Sequence, residues 1–194
     1  PRITSLVLGP ALGLGDRTRA LVLTALASAR PMVLDADALT VFADDPQTLF
    51  AALHPRVVLT PHSGEFARLF PAEASEMRRL RTEVAQRRLL HAVAQRAHAV
   101  VLLKGPVTRI ADPGGAHAEH LAHNGREAPW LATAGSGDVL AGLIGGLMAR
   151  GFSTMEAAQL GAWLHVEAAR RFGPGLIAED LPEALPGILR AVLR

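Results

Sequence analysis

Cysteine is missing from this sequence of 194 residues. Without it the chain cannot form a disulfide, use a thiolate nucleophile or bind a metal through sulfur. Tyrosine is missing too, and aromatic residues make up only 4% of the chain, so side chains that stack on nucleic-acid bases are scarce. The net charge of +2 is small, and we therefore expect no nucleic-acid partner.

Long apolar runs are missing as well. No segment approaches the roughly 20 consecutive apolar residues that a membrane-spanning helix requires, and no signal peptide is visible. We therefore expect no membrane partner and a cytoplasmic location. The chain contains 49% hydrophobic and 20% charged residues, which is the balance of a globular protein, and its length fits one domain.

Strand-like and helix-like segments alternate through the first half of the chain. Four apolar segments, some taken with the turn that follows, are assigned as strands: residues 4–8, 32–39, 54–66 and 99–110. The spacing of apolar residues predicts helices over residues 17–29 and 75–96. This alternation predicts an α/β fold with a mostly parallel central sheet and helices on both of its faces.

Turn and cap residues set the boundaries in the second half. Residues 112–115, Asp-Pro-Gly-Gly, predict a turn between the two strands of a small hairpin. One helix is predicted to start at the segment that contains Asp138. A second should begin at Ser153, where Glu156 completes a capping box, and a last short helix is expected from residue 179 onward.

The most informative stretch is residues 131–144, in which small residues lead into Gly135, Ser136, Gly137 and Asp138 and then into an apolar helix. Glycine lets the backbone approach a ligand closely, and the first N–H groups of a helix have no partner inside it. The stretch therefore predicts an anion-binding loop with Asp138 as a general base beside the anion. The alternative is that Asp138 only caps the helix.

Charged side chains follow two of the predicted strands. Lys104 is the single lysine among 20 basic residues, and it ends an apolar strand next to glycine, which suits a phosphate group. Alternatively, it is an ordinary cation at the end of a strand. Asp35 and Asp37 end another strand and would share one face of it if the strand continues, where they could hold a hydroxyl or a metal. Alternatively, one of them caps the next helix.

Two further turns follow predicted strands. Residues 9–15 are rich in glycine, and the ends of parallel strands are where α/β proteins bind ligands, although a turn without a ligand is the alternative. His62 lies after the third strand and could donate a hydrogen bond to a substrate, or it is an ordinary surface residue.

Five of these motifs, in this order, resemble the ADP-dependent NAD(P)H-hydrate dehydratase family of the ribokinase-like superfamily. They are residues 9–13, 35–39, 59–65, 104–108 and 131–142. The resemblance covers the chain from end to end and implies a ribokinase-like three-layer sandwich. One departure is Ala11, which stands where the family has a glycine in its Gly-Pro-Gly-Leu-Gly turn.

The resemblance also implies roles for individual residues. Asp138 would be the catalytic base and would contact the substrate together with Gly13 and His62. The nucleotide would be bound by Lys104, Gly105, Pro106, Val107, Thr108, Gly135, Ser136 and Gly137. Mg²⁺ would bridge the phosphates, while the sequence itself predicts no set of protein ligands for a metal.

The reaction implied by the resemblance is the dehydration of the S epimer of NADHX or NADPHX, with ADP converted to AMP and phosphate and with ATP as the alternative donor. We further expect a homo-oligomer and a fusion to an epimerase domain in the full-length protein. Residues 1–194 would form one domain that lacks the N-terminal strands typical of the family. Two alternatives stay open, namely a small-molecule kinase of the same superfamily and a non-catalytic nucleotide-binding fragment.

Overall fold

Six strands form one sheet in the computed structural model, which describes residues 3–121 and 127–192. The strands lie side by side in chain order, and the first four pair in parallel while the last two pair antiparallel. Their bounds are β1 Leu6–Leu8, β2 Met32–Leu34, β3 Val57–Leu59, β4 Val100–Leu103, β5 Val107–Ala111 and β6 His117–Leu121. The prediction of a mostly parallel α/β sheet is confirmed.

Helices connect the parallel strands and follow the hairpin of β5 and β6. Those of the first half are α1 Asp16–Ala27, α2 Asp37–Thr40, α3 Pro46–Ala52, α4 Ser63–Leu69, α5 Pro71–Arg79 and α6 Glu83–Ala97. Those of the second half are a 3₁₀ helix Pro129–Leu131, α7 Ser136–Ala149, α8 Thr154–Phe172 and α9 Asp180–Val192. The predicted capping box is present, because Ser153 Oγ accepts from the Glu156 N–H while the Glu156 carboxylate accepts from the Ser153 N–H.

The sheet separates two layers of helices because side chains alternate along each strand. Leu34 and Leu59 are buried in the cluster formed with α1 to α6. Val33 and Val58 are buried on the opposite face, against α7 and α8. The predicted three-layer arrangement, with helices on both faces, is therefore confirmed, and α9 packs on the outer side of α8.

The strand predicted over residues 99–110 is in fact two strands. The chain leaves β4 at Lys104 and reverses through Gly105 and Pro106, so that β5 pairs antiparallel with β4. Proline has no N–H to donate to a sheet, and glycine adopts tight turns readily, which explains the reversal. The apolar character continues across the turn, and periodicity alone therefore missed it.

The helix predicted over residues 75–96 is also divided. α5 ends before Leu80, which has an extended backbone with φ −70° and ψ 131°, and α6 starts after Thr82. The Thr82 hydroxyl accepts a hydrogen bond from the Ala85 N–H and so caps the new helix. Threonine competes for such local bonds and favours the start of a helix over its interior. Among the described residues no helix is long and apolar enough to cross a membrane.

α7 and α8 approach each other closely because glycines lie at their contact. A Cβ atom added to Gly161 on α8 would lie 2.6 Å from Cγ1 of Ile144 and 3.5 Å from its backbone nitrogen on α7. Gly142, on α7, has no atom within 4 Å of such a Cβ. Both glycines thus lie inside helices, but Gly161 is packed against Ile144 while the space beside Gly142 is open.

This difference predicts opposite effects of the same substitution. Gly161→Ala should lower the free energy of unfolding by about 1–3 kcal/mol, because the new methyl group overpacks the contact. Gly142→Ala should raise it by roughly 0.5–1 kcal/mol, because alanine is the better helix former. Urea unfolding of both variants measures the difference, and a Gly161→Ala variant as stable as wild type would contradict the close packing of α7 on α8.

Candidate functional site

The carboxyl ends of the four parallel strands meet at one edge of the sheet, and the backbone keeps pairing beyond the strands. The Asp35 N–H donates to the Leu8 carbonyl, and the Lys104 N–H donates to the Pro61 carbonyl at 2.9 Å. His62 and Lys104 also form an isolated parallel bridge. Segments that lie far apart in sequence are therefore fixed side by side at this edge.

Asp35 and Lys104 form an ion pair at this edge. The Lys104 Nζ donates to Oδ1 of Asp35 at 2.7 Å. The Asp35 side chain is fully buried and that of Lys104 is only 21% exposed, so water screens the pair little. Asp35 Oδ2 is also buried and has no hydrogen-bond partner among the described residues. A buried carboxylate oxygen without a partner is costly and marks a position where a ligand donor or a cation fits.

The prediction that Asp35 and Asp37 share a strand face is wrong. β2 ends at Leu34, and Ala36 adopts φ 47° and ψ −119°, a conformation that is strained for a residue with a Cβ atom. This turn directs Asp35 to Lys104, while Asp37 Oδ2 accepts a hydrogen bond of 2.8 Å from the Gly13 N–H. The carboxylate of Asp37 therefore holds the glycine-rich turn instead of capping a helix.

The glycine-rich turn after β1 packs directly on the Asp35 backbone. A Cβ atom at Gly9 would lie 1.8 Å from the Asp35 carbonyl oxygen, so this position accepts only glycine. Ala11 has φ 56°, the left-handed conformation that glycine adopts at least cost. Ala11 therefore adopts a conformation that costs a residue with a Cβ atom about 1 kcal/mol more than it costs glycine.

His62 is the N-cap of α4. Its Nδ1 accepts hydrogen bonds from the N–H groups of Gly64 and Glu65 at 2.9 and 3.3 Å, which assigns the ring proton to Nε2. Nε2 lies 3.3 Å from Oε1 of Glu65, a side chain that is 6% exposed, whereas that of His62 is 52% exposed. The histidine therefore has a structural role, and its one N–H donor lies on an exposed ring beside Glu65.

The predicted anion loop forms the start of α7. Gly135 is the N-cap with φ 82°, a conformation that favours glycine. A Cβ atom added to Gly135 would also lie only 3.1 Å from Cβ of Ala178. The Gly137 N–H has no hydrogen-bond acceptor among the described residues, as expected for a first helical turn. A Cβ atom at Gly137 would lie 3.3 Å from the Lys104 Nζ and 3.8 Å from Asp35 Oδ2. The lack of a side chain at Gly137 thus leaves room for the Lys104 ammonium group and the Asp35 carboxylate beside the start of α7.

Asp138 lies in the first turn of α7 with its side chain exposed. Its backbone N–H donates to the Gly135 carbonyl at 3.1 Å, but its carboxylate makes no hydrogen bond to the described residues. The alternative that Asp138 caps the helix through its side chain is therefore not supported. The carboxylate is instead available to a ligand next to the anion loop.

A cavity of about 590 Å³ opens beside the loop. This volume is within the range of roughly 300–1,000 Å³ that is typical of small-molecule sites. The wall includes most of the predicted nucleotide-binding residues, namely Lys104, Gly105, Pro106, Thr108, Ser136 and Gly137. Much of the remaining wall is apolar, with Ala128, Leu131, Leu140, Ala162 and Val166.

The other predicted site residues do not line this cavity. Val107 and Gly135 lie on elements that border it, in β5 and at the N-cap of α7. Gly13 and His62 are outside it, on exposed turns at the same edge of the sheet. Asp138 is also outside it, on the exposed face of the first turn of α7. The candidate site thus has an enclosed part, the cavity beside Lys104, and an open part, which contains Gly13, His62 and Asp138.

His165 was not predicted, although it lines the cavity. Its Nε2 lies 2.8 Å from the Ser136 carbonyl oxygen, and the residue is only 7% exposed. Burial is the main cause that lowers the pKa of His165 to about 4, and the charge of Lys104 lowers it further. The ring is therefore neutral at pH 7. His165 lies three, four and seven residues after Ala162, Gly161 and Ala158, which are all buried, and this helical spacing could have placed it on the inner face of α8.

Comparisons with known proteins agree with this arrangement. Residues 1–186 match the family described as NAD(P)H-hydrate dehydratase. The bifunctional NAD(P)H-hydrate repair enzyme Nnr of Mycobacterium tuberculosis is 46% identical over 157 residues, which cover 81% of this chain and 30% of the relative. The ADP-dependent (S)-NAD(P)H-hydrate dehydratase of Xanthomonas campestris is 38% identical over 94% of this chain and 60% of the relative.

A solved structure supports the same assignment. The ADP/ATP-dependent NAD(P)H-hydrate dehydratase of Bacillus subtilis, co-crystallised with ATP and Mg²⁺, has a TM-score of 0.76 and 28% identity. The match covers 97% of this chain and 66% of that chain. The chain spans about a third of the length of the bifunctional relatives. On its sequence and its ribokinase-like fold, the chain belongs to the NAD(P)H-hydrate dehydratase family.

Proposed function

We propose that this protein dehydrates the S epimer of NADHX or NADPHX to NADH or NADPH and converts ADP to AMP and phosphate. The observation that carries the proposal is the close approach of Gly137, at the start of α7, to the Lys104 ammonium group on the wall of a largely apolar cavity, in a chain of this family. An apolar cavity suits a nucleotide base, and a cation beside a helix start suits its phosphates. The exposed turns at the same edge leave room for a second substrate.

The chemistry follows from this placement. Asp138 takes the proton of the substrate hydroxyl, whose oxygen attacks the terminal phosphoryl group of ADP as the bond to AMP breaks. The substrate then carries a phosphate ester, which is a better leaving group than hydroxide. The phosphate group leaves with the electron pair of the C–O bond, the neighbouring carbon loses a proton to water, and the double bond of NADH or NADPH forms. The hydroxyl oxygen ends in inorganic phosphate.

Asp35 fits the Mg²⁺ ion that phosphoryl transfer requires. Its buried Oδ2 has no partner among the described residues and lies beside Gly137. Mg²⁺ is commonly bound through one or two carboxylates together with phosphate oxygens and water, so a cluster of three protein ligands, which the described residues lack, is not needed. The ion would offset the negative charge of the phosphates next to Asp35.

The activity itself is the first prediction. Incubation of the protein with (S)-NADHX and ADP should restore the absorbance of NADH and release AMP and phosphate in equal amounts. The same reaction with ATP identifies the donor, and the R epimer is the matched control that should stay unconverted. Consumption of nucleotide with a stable phosphorylated product would identify a kinase, and binding of ADP without turnover would identify a non-catalytic protein. Either result would refute the dehydratase.

The second prediction concerns the base. Asp138→Asn should lower the rate of NADH recovery by roughly 10²–10⁴-fold, because the amide cannot accept the proton. ADP affinity should change little, since the carboxylate lies outside the cavity. Glu156→Gln is the matched control, because Glu156 occupies the same position in the first turn of α8, and it should react as wild type does. Full activity of Asp138→Asn would exclude the catalytic assignment.

The third prediction concerns the lysine. Replacing Lys104 by alanine leaves Asp35 buried without a cation, which is itself destabilising. The informative comparison is therefore Asp35→Asn against the double variant Asp35→Asn with Lys104→Gln. The double variant should bind ADP about 10- to 100-fold more weakly, as expected for the loss of a charge-assisted hydrogen bond.

Affinity for the hydrated dinucleotide is the control for the loss of ADP affinity in the Lys104 variant. Titration of both variants with ADP and with the hydrated dinucleotide should show a much larger loss for ADP. Equal weakening of both ligands would argue that Lys104 does not bind the nucleotide phosphate.

A further inference from the structure

The start of α7 is held in place by Ser136. Its N-cap, Gly135, has no side chain that could bond the free N–H groups of the first turn. Instead the Ser136 hydroxyl donates to the Leu131 carbonyl at 2.7 Å, and the Ser136 carbonyl accepts from His165 at 2.8 Å. Gly137 and Asp138 follow directly, so the positions of their N–H and carboxylate depend on how firmly Ser136 is fixed.

We propose that His165 is a positioning residue, whose hydrogen bond to the Ser136 carbonyl fixes the first turn of α7 and with it the Gly137 N–H and the Asp138 carboxylate. The inference rests on the proposed function in so far as Gly137 binds phosphate and Asp138 is the base. It assigns a role to a side chain that lies on α8, 29 residues further along the chain.

The chemistry of the ring suits this role. A carbonyl oxygen only accepts, so the His165 Nε2 carries the proton and donates it. At 7% exposure the bond is shielded from water, which would otherwise compete for the Ser136 carbonyl. Burial, Lys104 and His120 all lower the pKa of His165, so the ring keeps one proton on one nitrogen over the neutral range. A charged ring would add a second cation beside Lys104.

Packing brings the ring within reach. Gly161 lies one turn before His165 on α8, and its lack of a side chain allows α8 to approach α7 at Ile144. His165 also lines the cavity together with Ser136 and Gly137. A nucleotide in the cavity would therefore lie against the same group that holds the anion loop, so binding and the placement of the base share one support.

Two polar substitutions test the hydrogen bond separately from the packing. In His165→Gln the side-chain amide nitrogen reaches about as far as Nε2, whereas in His165→Asn it is one carbon shorter. His91→Gln is the control for loss of such a bond elsewhere in the molecule, because Nδ1 of the His91 ring, which glutamine does not replace, bonds the Asp112 carbonyl at 3.0 Å in a hairpin turn outside the cavity. Both variants at His165 keep the charge of its neutral ring.

The expected result is a split between the two variants at His165. His165→Asn should bind ADP about tenfold more weakly, as for the loss of one buried hydrogen bond, and should lower kcat at least about tenfold with KM for the hydrated dinucleotide nearly unchanged. The amides of Asp138 and Val139, which donate to the Gly135 carbonyl, should exchange with solvent about tenfold faster. His165→Gln and His91→Gln should stay within about threefold of wild type on every measure.

Two outcomes would overturn the proposal. One is a His165→Asn variant with wild-type ADP affinity and amide exchange. The other is an equal loss in His165→Asn and His165→Gln, since the cause would then be packing and not the hydrogen bond. ADP affinity and amide exchange do not require turnover, so they decide the role of His165 even if the protein fails to dehydrate NADHX.

Discussion

The buried ion pair of Asp35 and Lys104 is the interaction on which the site depends. It joins the turn after β2 to the end of β4, across 69 residues of sequence. Breaking a buried pair by removing one partner costs roughly 3–5 kcal/mol, because the remaining charge is left without compensation. The order of the strands therefore also brings the one lysine of the chain to a carboxylate, at the edge of the sheet where we propose that the nucleotide binds.

Two backbone positions, one strained and one crowded, allow this ion pair to form. Ala36 adopts an unfavourable conformation that turns Asp35 inward, and Gly9 provides room for the Asp35 backbone where any side chain would collide. Such strain persists only where the surrounding structure holds the residue firmly, and it is concentrated at functional sites. The Lys104 ammonium group is therefore already paired with the Asp35 carboxylate. A phosphate bound as proposed would meet a carboxylate as well as a cation, and a metal ion would offset the repulsion between the two negative groups.

The site consists of an enclosed part and an open part. The cavity beside Lys104 and Ser136 is largely apolar and is bordered by α7 and α8, whereas Asp138 and His62 are on the exposed side of the same edge. This division suits the proposed reaction, in which the cavity would hold the base of the nucleotide and the second, larger substrate would approach from outside. The first turn of α7 lies between the two parts, with Gly137 on the cavity wall and Asp138 outside it. Small movements of this turn would thus affect both ligands.

Local sequence determined much of the fold. The alternation of apolar segments, the capping box at Ser153 and the loop from Gly135 to Asp138 were predictable, because strand periodicity, helix caps and glycine turns depend on neighbours within a few residues. The break of the long helix at Leu80 and the chain reversal at Gly105 were missed, because apolar periodicity continues across both. Both breaks are local features, but the turn and cap residues that produce them were a weaker signal than the apolar periodicity of the surrounding segments.

Only the tertiary structure decided the rest. Lys104 was recognised as a candidate phosphate ligand, but its pairing with Asp35 depends on which strands lie side by side, and nothing within either segment encodes this. The same holds for His165, whose bond to Ser136 exists because Gly161 lets two helices approach each other. The sequence by itself determined which chemical groups follow the strands and begin the helices. Their partners were decided by the parallel sheet and by helix packing, which join residues that are remote in sequence.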